Sequence, residues 1–220
     1  GVNDFSALYL RFTYGDNLVY NNDSSKIGGA FTAYFQNGKN PHQVYDGGYA
    51  ELSAYLFAVK MHYTITHKAK VKLGCDYYSG SKAELEPAKS RTFNRLYGSP
   101  HSFNGSMEYF VSLPKQGLID YYAGIDWTVK NKLRTECVFH FFSFSEDFYL
   151  EGAKANNNIG SEVDLLLNYT ATKEVSVQLG VSKFFNTGST AKYFKINDVS
   201  LKPNHWAYLM ITVRPKLFVS

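Results

Sequence analysis

Charged side chains recur at the polar positions of alternating segments, and that spacing is the first chemical signal in the 220 residues. Asp126, Glu136, His140, Glu162 and Asp164 fall in mid-segment, with Glu51, Asp76 and Asp120 as further acids. Arg11, Lys70, Lys72, Lys130, Arg134 and Arg214 supply the basic partners. Gathered on one wall, such residues would offer a hydrophilic solute weak, repeated sites that let it enter and leave. They would equally serve as cross-strand ion pairs that neutralise one another. The two signs are nearly balanced, whereas a dedicated polyanion conduit would be more basic.

A second group lies outside the alternating segments. Arg91, Arg95 and His101, with Lys82 and Lys89, make the 80–104 stretch basic. At a pore mouth Arg91 and Arg95 would select anions. The competing reading makes Arg95, Tyr97, His101 and Phe103 a clasp that fixes the stretch to a wall.

Enzyme chemistry finds little purchase. No G-x-S-x-G elbow presents a nucleophile. Glu136 and His140 share a strand face at i, i+4, which sets them about 13 Å apart, too far for a direct pair. No Cys/His cluster has metal-ligand spacing, and no cofactor motif appears. Cys75 and Cys137 read as small apolar strand residues on different strands, a placement that argues against a disulfide. We therefore expect no enzyme, no metal and no cofactor. A net charge of +4 without a Lys/Arg block gives no reason to invoke nucleic acid.

The elements that must position these residues are strands. Val163, Leu165, Leu167 and Tyr169 alternate with Glu162, Asp164, Asn168 and Thr170. The same period of two runs through 68–79, 118–130, 175–182 and 206–218, with weaker strands at 5–14, 28–36, 48–62 and 133–144. No segment shows a helical stripe. Aromatic residues make up 17% of the chain, which suits strands and membrane interfaces. Tyr14, Tyr77, Tyr121, Trp127, Tyr169 and Trp206 are placed as girdle residues. A mean hydropathy of −0.28 does not argue against a membrane barrel, because alternating strands average to neutral. No apolar run approaches the roughly 18 residues of a membrane helix.

Connections alternate in length. Short turns at 64–67, 130–132 and 171–173 contrast with long polar loops at 79–117, 145–160 and 185–204, as in outer-membrane barrels. Parity then makes 80–117 one extracellular excursion, folded into or over the pore mouth, with Met107–Leu113 not a spanning strand. The fold expected is an antiparallel transmembrane β-barrel, all-β and up-and-down, forming one domain over 1–220. Parity fails at the N-terminus, where the 15–27 segment and the 37–47 link do not fit the strands around them. The chain begins without Met and reads as mature, processed or partial.

Leu73-Gly-Cys-Asp-Tyr-Tyr-Ser-Gly-Ser81, followed by Phe93-Asn-Arg-Leu-Tyr-Gly-Ser-Pro-His-Ser-Phe-Asn-Gly-Ser-Met-Glu-Tyr-Phe110, resembles the alginate-export family of outer-membrane barrels, in the versions found in Bacteroidota. Ser53–Val59, Gly160–Leu165 and Trp206–Lys216 look similar, so the likeness spans most of 45–218. Glu108 and Cys75 depart from the family pattern. Residues 26–40 look like two family strands run together with residues absent between them. The resemblance implies a barrel larger than the roughly nine strands counted here, and hence a C-terminal part of a longer chain. It also implies a bacterial outer-membrane channel for passive transport of a hydrophilic, anionic or polysaccharide solute. The alternative is a plugged scaffold barrel that anchors a protein partner. Outer-membrane lipid is the expected surrounding in both.

Overall fold

A computed structural model describes residues 5–19, 26–82, 87–95, 104–150, 152–195 and 203–214. The chain is all-β apart from one short helix. The strands are β1 (Phe5–Val19), β2 (Lys26–Tyr45), β3 (Gly48–Thr66), β4 (Ala69–Tyr78), β5 (Lys89–Ser90), β6 (Leu118–Lys130), β7 (Leu133–Ser143), β8 (Tyr149–Leu150), β9 (Ala153–Lys154), β10 (Asn158–Thr170), β11 (Val175–Phe185) and β12 (Asn204–Val213). The helix α1 spans Gly188–Tyr193, and Thr187 caps it by accepting from the Thr190 N–H.

One antiparallel sheet runs in the order β1-β2-β3-β4-β6-β7-β10-β11-β12. Each long strand pairs with the next long strand in the chain, the simplest up-and-down topology. The sheet is open: among the described residues β1 and β12 are edges and do not pair with each other. No helix is long and apolar enough to cross a membrane, which says nothing of strands.

The short links between β3 and β4, β6 and β7, and β10 and β11 gather at one end of the sheet, and the long segments 79–117, 144–157 and 186–203 gather at the other. Segment 79–117 leaves β4 and returns to β6 at the same end, and 107–113 contributes no strand.

The N-terminal bookkeeping is corrected. Residues 15–19 continue β1 instead of looping, and in this chain 26–45 runs as one strand, paired with β1 over Lys26–Gly38 and with β3 apart from an irregularity between Asn40 and Val44. Asp46 and Gly47 join β2 to β3 with φ of 48° and 74°, the left-handed pair that a tight hairpin needs. Parity therefore alternates through all nine long strands. The hairpin projects past β4, and β5 takes up the β3 edge that β4 leaves, pairing in parallel with Glu51 and Leu52.

The two faces differ in kind. One carries Val59, Met61, Leu73, Ile125, Phe139, Leu165, Leu179, Leu209 and Ile211, all exposed, and no second layer packs on them among the described residues. Leu73 is 56% and Leu209 65% exposed. Tyr63, Trp127 and Tyr169 lie toward the turn end of this face, and Tyr55, Tyr77 and Tyr121 toward the loop end. Tyr55 to Tyr63 covers about 26 Å along the strand at about 3.3 Å per residue.

The other face carries the charges, and its loop end holds the core: Leu56, Tyr78, Leu118, Phe142, Ile159 and Phe184, with Phe93 and Phe110 from the 79–117 segment. Two expectations fail here. Glu51 shares a face with Tyr55 and Phe57 instead of the charged one, because Ala50, Leu52, Ala54 and Leu56 form the buried row of β3. Trp206, placed as a girdle residue, pairs in register with Ser182 and lies against Tyr208, with ring centroids 4.8 Å apart, on the polar face of the edge strand.

Glycines let aromatic rings lie flat on the polar face. Tyr122 covers Gly74 and Tyr208 covers Gly180, each across a registered strand pair. A Cβ on Gly74 would meet the Tyr122 ring at 2.1 Å, and one on Gly180 would meet Tyr208 at 2.0 Å.

Candidate functional site at the loop end of the polar face

The first limb of the 79–117 segment is tied to β2, β3 and β4. Gln36, fully buried, donates from Nε2 to the Asn94 carbonyl at 2.5 Å and accepts from the Asn94 N–H at 2.9 Å. Phe93 packs between Tyr34 and Tyr78. The Arg95 guanidinium lies 4.8 Å from the Tyr78 ring centroid, a cation–π contact. Ser79 Oγ accepts from the Tyr55 N–H and donates to the Arg91 carbonyl. Ser81 Oγ accepts from the N–H groups of Arg91 and Thr92. Arg95 thus belongs to a clasp, with its guanidinium against the wall. Arg91 is an exposed residue at the rim. His101, Tyr97 and Phe103 lie outside the described residues.

The second limb descends onto β10. The Met107 N–H donates to Glu162 Oε1 at 2.8 Å, and the Ser106 N–H donates to Asp164 Oδ2 at 3.1 Å. Gly105 makes the approach possible. Its φ is +84°, and a Cβ there would sit 2.7 Å from the Glu162 carboxylate. Beyond it, Phe110 enters an aromatic cluster with Phe142 at 4.7 Å, and Tyr109 meets Phe184 at 4.5 Å. Burial pushes the Tyr109 phenol up, and its oxygen accepts from Asn204 Nδ2 at 2.6 Å. From the far side α1 brings Tyr193, and Phe194 just after it, onto the same cluster. The polar face is therefore covered at its loop end by aromatic rings.

Deeper along the wall the charges pair across strands. Lys72 on β4 bridges to Asp126 on β6 at 3.0 Å and to Glu136 on β7. Arg134 Nη2 reaches Asp126 at 3.4 Å from the turn side. His140 Nδ1 lies 2.9 Å from Asp120 Oδ1, and its Nε2 lies 3.8 Å from Asp164 Oδ2. Lys70 stands in register with Asp126 on the same face. Arg214 follows β12 at the turn end, where its N–H bonds to the Glu174 carbonyl. Arg11 stands opposite Thr32 in β1.

Lys72, Asp126, Arg134, Glu136, His140, Glu162 and Asp164 are thus brought together on one wall, while Arg91, Arg214 and Lys70 stand toward its rims. Sequence reasoning missed Gln36, whose mid-strand amide in a weakly patterned segment gives no sign that a backbone 58 residues away will claim it. It also missed Asn104, a buried residue within the 93–110 motif.

Compared with models of known protein families and with curated proteins, the chain matches none. Among the described residues no group of three or more His, Cys, Asp or Glu is placed to hold a metal ion. Both cysteines are free and half-buried, on β4 and β7 with β6 between them.

Proposed function

We propose that the sheet is the wall of a bacterial outer-membrane β-barrel and that its polar face lines a passage for a hydrophilic solute, narrowed by the 79–117 excursion. The inversion of the two faces carries this reading. In a water-soluble sheet the outward face is polar and the covered face apolar. Here residues such as Leu73, Ile125, Leu165 and Leu209 face outward while Asp120, Asp126, Glu162 and Asp164 are buried on the other side. Lipid outside and a polar lumen inside account for that arrangement. Strands of 10–13 residues, as in β4, β6, β7, β10, β11 and β12, match the span a tilted membrane strand needs.

Among the described residues that resemble the alginate-export family, Ser79, Ser81, Phe93 to Arg95 and Ser106 to Phe110 include those that bind the excursion to the wall. That supports a family-like mouth. The wall itself is acid-rich, so we extend the proposal to a hydrophilic solute and leave polyuronate selectivity to the test. Planar-bilayer conductance of the full-length protein, under a salt gradient and with oligo-uronate added, decides between them. Steady conductance with uronate block supports an export-type channel. Conductance with cation preference and no block supports a channel for other solutes.

The second reading is a plugged scaffold barrel that anchors a protein partner. The Phe110–Phe142–Phe184 cluster favours it, since it fills the loop end with apolar rings. Folded protein that conducts nothing would decide for the plug.

A further inference from the structure

Beneath the tip of the second limb lies a cavity of about 230 Å³, walled by Asn104, Ser106, Glu136, His140, Asp164 and Tyr208 among others. We propose that it is a binding subsite for a small amine-bearing cation. The inference deepens the channel reading and rests on it for the claim that solute reaches this face.

Unmet hydrogen-bonding capacity is the first observation. Asn104 is only 3% exposed, and neither its Nδ2 nor its Oδ1 has a partner among the described residues. Each such group costs about 1–3 kcal/mol unless something satisfies it, and native proteins keep few of them. Asn104 also holds a φ of +63°, a conformation that L-residues adopt at a cost and that fixes where its amide sits.

Charge is the second. Two carboxylates, Glu136 and Asp164, line the cavity, and Asp120, Asp126 and Glu162 stand on the same face of the sheet outside its lining. Lys72 is committed to Asp126 and Glu136, Arg134 to Asp126, and His140 to Asp120. The one ion-pair contact of Asp164 among the described residues is His140 Nε2, at 3.8 Å and to the other oxygen. An anion would meet uncompensated carboxylate here, whereas an ammonium group would complete the set. The Tyr208 ring, flat over Gly180, adds an aromatic face of the kind that attracts a cation. The volume lies below the roughly 300 Å³ at which drug-sized pockets begin, so the ligand is small.

The test uses the full-length protein folded in detergent, titrated calorimetrically with ethanolamine and glucosamine, with glucose and glucuronate as neutral and anionic probes. The amines should saturate one site and glucuronate should not bind. Asn104→Gly keeps the left-handed backbone while removing the amide, and should weaken amine binding roughly tenfold. Asp164→Asn should erase the preference of glucosamine over glucose. Amines that bind no better than glucose, or variants that bind amines as the parent does, overturn the subsite. Amine binding by protein that shows no bilayer conductance keeps the subsite and removes the channel reading; conductance without amine binding removes the subsite alone.

Discussion

The Met107 backbone N–H donates to the Glu162 carboxylate, 55 residues later in the chain, at 2.8 Å. A loop tip is thereby fastened to mid-wall by a hydrogen bond to a fully buried side chain. Glu162→Ala should free the tip and cost about 1–3 kcal/mol, the loss from leaving a buried donor unmet. Glu162→Gln keeps an acceptor and should cost less. Limited proteolysis of the folded protein within 79–117 reads the difference. Equal cleavage of parent and Glu162→Ala would mean that the carboxylate does not hold the loop.

Gly105→Ala should loosen the same contact from the other side. The new methyl would lie against the Glu162 carboxylate in a backbone conformation that disfavours it. The expected cost is about 1–2 kcal/mol, with faster loop cleavage and an unchanged strand content by circular dichroism. Cleavage at the parental rate would contradict the close approach.

Gly74→Val should disrupt the wall itself, because the Tyr122 ring occupies the space a side chain needs. A loss of about 1–3 kcal/mol follows from forcing the ring aside. Urea unfolding in detergent measures it, and the loss should shrink when Tyr122→Ala accompanies the change. A neutral Gly74→Val would show that the ring does not cover the glycine.

The strands that alternate cleanly were legible because each face imposes its own residue type. Val163, Leu165 and Leu167 against Glu162 and Asp164 give β10 directly, and the position of turns then gives the sheet order. β2 was not legible. Its glycines, its Asn residues and Pro41 obscure the period of two, and only pairing with β1 and β3 shows that 26–45 is one strand. The charged wall could be assembled from parity, since Lys72, Asp126 and Glu136 needed only the right face and neighbouring strands. The clamp of Ser106 and Met107 on Asp164 and Glu162 could not, because backbone donors leave no mark in a sequence and the partners are far apart in the chain. The Gly74–Tyr122 and Gly180–Tyr208 pairs were hidden for a related reason: each depends on exact register.

Adjacent residues should respond oppositely to charge. Leu165 is on the exposed apolar face, and Leu166 stands opposite Glu136 on the charged one. Leu165→Arg should cost about 2–4 kcal/mol when the protein folds into a bilayer, as mid-membrane charges do on lipid-facing positions. Leu166→Arg, beside Glu136 in register, should cost distinctly less. Folding titrations into lipid vesicles compare the two. A reversed order would put the wrong face toward lipid.

The native cysteines test the membrane-facing assignment most directly. Cys75 pairs in register with Tyr121 and Val59, and Cys137 with Ile125 and Leu165, so both sit on the apolar face, Cys137 in mid-strand and Cys75 nearer the loop end. Cys137→Ser and Cys75→Ser each leave one thiol for a nitroxide label in full-length protein reconstituted into vesicles. Collision with dissolved oxygen and with a water-soluble nickel chelate is then measured at each label, with Asp46→Cys in the projecting hairpin of a cysteine-free variant as the aqueous reference. Frequent oxygen collisions and rare nickel collisions at both native sites are the expected result. Nickel collisions at Cys75 and Cys137 as frequent as at the hairpin would contradict the account, because the apolar face would then be in water.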